Sequence, residues 1–156
     1  MTFRITGLSP EPFQSLFGLS DADLALRGVK RYRVDHSPGF PDRIEMRDAL
    51  PGETVLLLNH LCQPAETPYR ASHAIFVREG ATQAYDAVDE VPEVMRLRLL
   101  SLRAYDADGM MLDADVVQGA EMEPVVERLF ANSAVSYIHA HNAKRGCYSG
   151  RIDRIS

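Results

Sequence analysis

Residues Arg98 to Val117 read RLLSLRAYDADGMMLDADVV. Two strand-like runs flank Asp108-Gly109, a dipeptide that favours a tight hairpin because it tolerates positive φ at both turn positions. A turn that short makes its strands antiparallel neighbours. The regions on either side repeat the pattern. Upstream, the turn Leu50-Pro51-Gly52-Glu53 leads into TVLLLNHLC, Thr54 to Cys62, an apolar run of strand length. Pro64 and Pro68 interrupt the chain before HAIFVRE, His73 to Glu79, a second strand. Downstream, Val125, Val126, Leu129 and Phe130 recur at helical spacing, and Pro124 suits a first helical position. Val135 to His141 and Cys147 to Ile155 then read as two strands joined by NAKRG.

The N-terminal third is less regular. Phe3 and Ile5 alternate with polar residues as in a strand, and Lys30 to Val34 reads as another. Glu11 to Phe17 and Asp21 to Arg27 suggest short helical turns, and Ser37 to Asp42, SPGFPD, is a turn-rich stretch. Gly80 to Val91 is expected to be a loop with a short helix. The expectation is an α+β fold in a single domain over residues 1–156. It has five to seven strands in a mainly antiparallel sheet, with about two helices packed on one face.

The composition sets limits. The chain has 156 residues, 46% apolar and 25% charged, enough for one buried core. Its formal charge of -5 argues against a nucleic-acid binder, which needs a basic surface, but permits a local basic pocket for a small anion. No apolar run approaches the roughly 20 residues that cross a bilayer. The N-terminus MTFRITGLSPEPF lacks the apolar core of a secretion signal, so the expected location is cytoplasmic and no membrane partner is expected. Cys62 and Cys147 are then expected to be free thiols. An open sheet with an exposed edge makes a homodimer a further expectation.

The densest chemistry is YIHAHNAKRGCY, Tyr137 to Tyr148. Alternate residues of a strand share a face, so His139 and His141 should project together. Three chemistries fit. His60 and Cys62 have the same spacing on another strand, and two such pairs could make a zinc site, although H-x-H alone is a weak signal. Cys147 lies near Arg145 and the two histidines, which suits a nucleophile, although a cysteine at a strand start is more often a small buried hydrophobe. Asn142, Lys144, Arg145 and Gly146 form a turn able to hold a carboxylate or phosphate, or simply a solvated turn. Tyr69, Arg70 and His73 enter a strand from a loop, where binding residues gather. DADGMMLDAD, Asp106 to Asp115, lacks the glycine and glutamate positions of a calcium loop, and the hairpin explains it better.

The stretches TPYRASHAIFVRE, LSLRAYDADGMMLDADV and YIHAHNAKRGCYSGRIDR resemble the bacterial domain-of-unknown-function family numbered 1203. The resemblance implies a bacterial, self-contained domain and transfers no activity, cofactor or catalytic role. The site expectation therefore rests on the residues alone. His139, His141 and Cys147 are the candidate catalytic groups, and Tyr69, Arg70, His73, Asn142 and Arg145 are expected to bind a small anionic ligand. No metal or cofactor is assigned. The rival is a non-catalytic interaction or regulatory domain whose histidines are structural, with zinc binding as a third reading.

Overall fold

The computed structural model describes residues 2–155. Among these residues nine strands form two antiparallel sheets. They are β1 (Thr2–Thr6), β2 (Lys30–Arg33), β3 (Thr54–Gln63), β4 (Ala71–Arg78), β5 (Asp86–Val88), β6 (Leu99–Tyr105), β7 (Met111–Gln118), β8 (Tyr137–Asn142) and β9 (Tyr148–Ile155). The larger sheet has the order β5-β1-β9-β8-β6-β7, and the smaller has β2-β3-β4. The α-helices are α1 (Asp21–Ala25), α2 (Glu93–Arg96) and α3 (Met122–Phe130), with 3-10 turns at Glu11–Leu16 before α1 and at Gly119–Glu121 before α3. This is the expected α+β class. No helix among the described residues is long and apolar enough to cross a membrane.

The two faces of the large sheet have different partners. Ile138 and Ala140 of β8, Leu100, Leu102 and Ala104 of β6, and Ile152 of β9 turn to one face. There they pack against Met122, Val126, Leu129 and Phe130 of α3 and Val94 and Met95 of α2. Nine residues are too few to form a stable helix alone, so α3 depends on this packing. The opposite face carries Tyr137, His139 and His141. It is covered by the small sheet, whose Leu56, Leu58, Ile75 and Val77 share a second core with Tyr148.

Several expectations need correction. The strands divide between two sheets and number nine. The stretch from Gly80 to Val91 contains the short edge strand β5, and the helix lies beyond it at α2. Three or four residues give too little periodicity to be seen in sequence. The β6–β7 hairpin is real, but only Gly109 takes positive φ, at 88°. The Asp106 N–H donates to Met110 O at 2.9 Å, so Ala107–Gly109 form the loop. Asp106 Oδ1 accepts from the Asp108 and Met110 N–H groups, an acceptor role that supports the turn. Helix α3 starts at Met122, which moves Pro124 to its third position. The first four N–H groups of a helix have no intrahelical acceptor, so the proline still costs no bond.

Candidate functional site

The β8–β9 connection positions the sulfur of Cys147. Asn142 N–H donates to Cys147 O at 2.9 Å, and Gly146 N–H closes the turn on Asn142 O at 2.7 Å. Gly146 has a φ of 78°, which glycine adopts without strain. Cys147 therefore sits in the turn, one residue before β9. The loop after the cis Ser37–Pro38 bond brings Arg43 beneath it. Arg43 is 2% exposed. Its Nε donates to Tyr148 O at 2.8 Å, Nη1 to Pro41 O at 2.7 Å and Nη2 to Cys147 Sγ at 3.2 Å. Asn142 Nδ2 also donates to that sulfur, at 3.6 Å. Burial pushes the Arg43 pKa down, and Cys147 opposes the shift. The neighbouring Asp42 carboxylate accepts from the backbone N–H groups of Ile44, Glu45 and Arg78. The buried cation thus makes its hydrogen bonds to two carbonyls and a sulfur, with no carboxylate among them.

Arg43 and Cys147 line a groove of about 990 Å³ that also takes in Leu57 of β3 and His73, Ala74 and Phe76 of β4. Arg98, Lys144 and Arg145 line it as well, and among the described residues no aspartate or glutamate does. Arg98 is held from behind by Asp48, with contacts of 2.6 and 3.1 Å to its two oxygens. Lys144 and Arg145 are exposed and make no ion pair among the described residues. Tyr32, Phe40 and Phe76 supply an aromatic side to the same groove. His73 Nε2 and Asn142 Oδ1 are buried there without a hydrogen-bond partner.

Beneath the groove, Tyr137, His139 and His141 do share a face. The two imidazole centroids are 6.4 Å apart, and Tyr148 packs against both at 5.1 and 5.8 Å. Tyr105 stacks on Tyr137 at 5.3 Å and meets His139 at 5.1 Å. His141 contacts His73 at 4.9 Å, and its Nδ1 lies 2.9 Å from Gly146 O, which braces the cysteine turn. Both rings are sealed, His139 at 3% and His141 at 2% exposure. Burial, reinforced by nearby cations, pushes His139 down to about 3 and His141 to about 4. At neutral pH both are uncharged.

The expected site residues therefore separate. His73, Asn142, Arg145 and Cys147 come together in the groove, while His139 and His141 lie under it. Tyr69 and Arg70 are elsewhere: Tyr69 packs on Tyr105, and Arg70 reaches Pro64 O and Glu66. His60 packs on Tyr148 at 6.3 Å, and Tyr148 in turn packs on His139 and His141. Cys62 Sγ donates to Ala71 O at 3.3 Å. Among the described residues no three His, Cys, Asp or Glu side chains are placed to hold a metal ion. Both cysteines are free. Arg43 and Arg98, with the aromatic Tyr32, Phe40 and Phe76, are groove residues that the sequence did not reveal. Arg43 lies 104 positions from the sulfur it touches, in a turn-rich stretch with no periodicity.

Residues 39–154 match the family model described as Protein of unknown function (DUF1203). The chain belongs to this family. Comparisons with curated proteins and with solved structures gave no match. The DUF1203 span begins at Gly39 on the groove's rim and includes Arg43, Arg98, Asn142 and Cys147, whereas β1, β2 and Tyr32 precede it. The DUF1203 description names no activity, so a functional reading has to come from the groove.

Proposed function

We propose that this domain binds a small anionic molecule in the groove between the β4 edge and the β8–β9 turn. The observation that supports it is the charge distribution. A chain with a formal charge of -5 lines one groove with Arg43, Arg98, Lys144 and Arg145 and, among the described residues, with no carboxylate. Guanidinium groups hold carboxylates and phosphates by paired N–H donors, and low exposure strengthens those bonds. Cys147 is the candidate reacting group, because the Arg43 and Asn142 side chains both donate to its sulfur at the groove wall. In this reading His139 and His141 are not proton carriers. They pack neutral under the groove, and His141 steadies the turn. A bacterial cytoplasm would keep such a thiol reduced.

The experiment is a thermal shift with inorganic phosphate against chloride at equal ionic strength. The wild type should gain melting temperature with phosphate, and the Lys144→Ala/Arg145→Ala variant should keep its fold and lose most of the gain. An equal gain in both proteins would place the anion elsewhere.

A second reading has its own support. The sealed, uncharged histidines are what a non-catalytic interaction domain with structural histidines would have. It predicts no ligand-induced shift at all.

A further inference from the structure

We infer that the ligand of this groove is an amphipathic organic acid, a carboxylate or phosphate on a flat aromatic body, and this rests on the anion-binding reading above. The groove has two chemically distinct sides. Arg43, Arg98, Lys144 and Arg145 form one. Tyr32, Phe40 and Phe76 form the other, with Phe76 meeting Tyr32 at 6.0 Å and 87° and Phe40 at 5.3 Å and 56°. These rings pack only partly on the small core of Val34, Ala49 and Val55, and they remain half-buried beside the groove.

A bare inorganic anion would use the cations and leave the rings wet. The volume of about 990 Å³ is also far larger than an ion requires and suits a small organic molecule. An aromatic body laid on Phe40 and Phe76 would bury apolar area and gain edge-to-face contact. The ligand class is thus defined by two features: one anionic group and one flat apolar body.

Calorimetric titration of the full chain with four probes tests it: inorganic phosphate, phenyl phosphate, benzoate and neutral benzamide. Phenyl phosphate should bind about tenfold more tightly than phosphate, the scale expected for burying much of one ring. Benzoate should bind and benzamide should not. Phe40→Leu should remove the phenyl increment and leave phosphate affinity unchanged, which also shows that the variant is folded. Equal affinity for phosphate and phenyl phosphate would overturn the aromatic half of the inference while the anion groove stands. Binding of benzamide as tight as benzoate would overturn the anionic half. Absence of binding by all four would overturn the anion-binding reading and this inference with it.

Discussion

At the scale of single residues, the Arg43–Cys147 contact distinguishes this chain from an ordinary antiparallel domain. The Arg43 fork spans two backbone carbonyls and a sulfur, three directions that one lysine ammonium cannot reach together. Arg43→Lys should therefore release the sulfur while keeping a positive charge nearby. The readout is alkylation by iodoacetate, in which the sulfur forms a bond to carbon and iodide leaves with the electron pair. Cys147 in the wild type should alkylate faster than in Arg43→Lys, and faster with iodoacetate than with neutral iodoacetamide relative to a free thiol. Peptide mass spectrometry separates it from Cys62, which is buried and whose pKa burial pushes up. Equal rates in the two proteins would leave the arginine a purely structural role.

Among the elements, the β8–β9 turn matters most. Gly146 sits at positive φ with open space around its Cα, so Gly146→Ala should cost about 1 kcal/mol through backbone strain alone. Urea denaturation measures it, and a neutral result would show that the turn relaxes. The strands on either side of this turn were legible in the sequence. Tyr137, His139 and His141 alternate with Ile138 and Ala140, and the alternation divides them between the two faces as a pleat requires. The depth of burial was not legible, because it depends on the small sheet that covers this face. Nor was the groove's cationic floor, since Arg43 meets Cys147 and Tyr148 from 104 and 105 positions away. The elements missed, β5 and α2, are too short to repeat a period. The hairpin was located correctly from Asp108-Gly109, but its loop uses Asp106 as an acceptor instead of a second positive-φ residue.

Across the whole molecule, stability should depend on pH through the layer between the sheets. Unfolded histidines titrate near 6.5, whereas His139 and His141 titrate at about 3 and about 4 in the fold. Above pH 6.5 both states hold these rings neutral. Below it the unfolded chain binds protons that the native state excludes, so stability falls as the pH drops from 6.5 toward 4. The slope is about 1.4 kcal/mol per pH unit for each ring. Burial also lowers the pKa of His60 and His73, which adds in the same direction. Glu53 and Glu79, held at about 2 by Arg47 and Arg31, contribute their stability fully above 4.5 and lose it only at lower pH. Burial raises the Asp42 pKa, which acts in the opposite direction, so the interval from 6.5 to 4.5 reports the histidines offset by that one carboxylate. Denaturation at pH 7 and pH 5 should show a clear loss, and His139→Phe should reduce it. An unchanged loss in that variant would place the acid sensitivity in other groups.

The charge of the whole chain points the same way as the groove. A surface this acidic, with a formal charge of -5, repels extended polyanions, while a recessed cluster of arginines can still accept a small one. The most direct test is a two-dimensional ¹⁵N–¹H spectrum recorded while inorganic phosphate is added to the full chain. The amide shifts should saturate and concentrate at Asn142 to Cys147 and in the loop around Arg43. Linear, unsaturated shifts scattered over the surface, or shifts concentrated away from the β8–β9 turn, would contradict an anion-binding groove at this place.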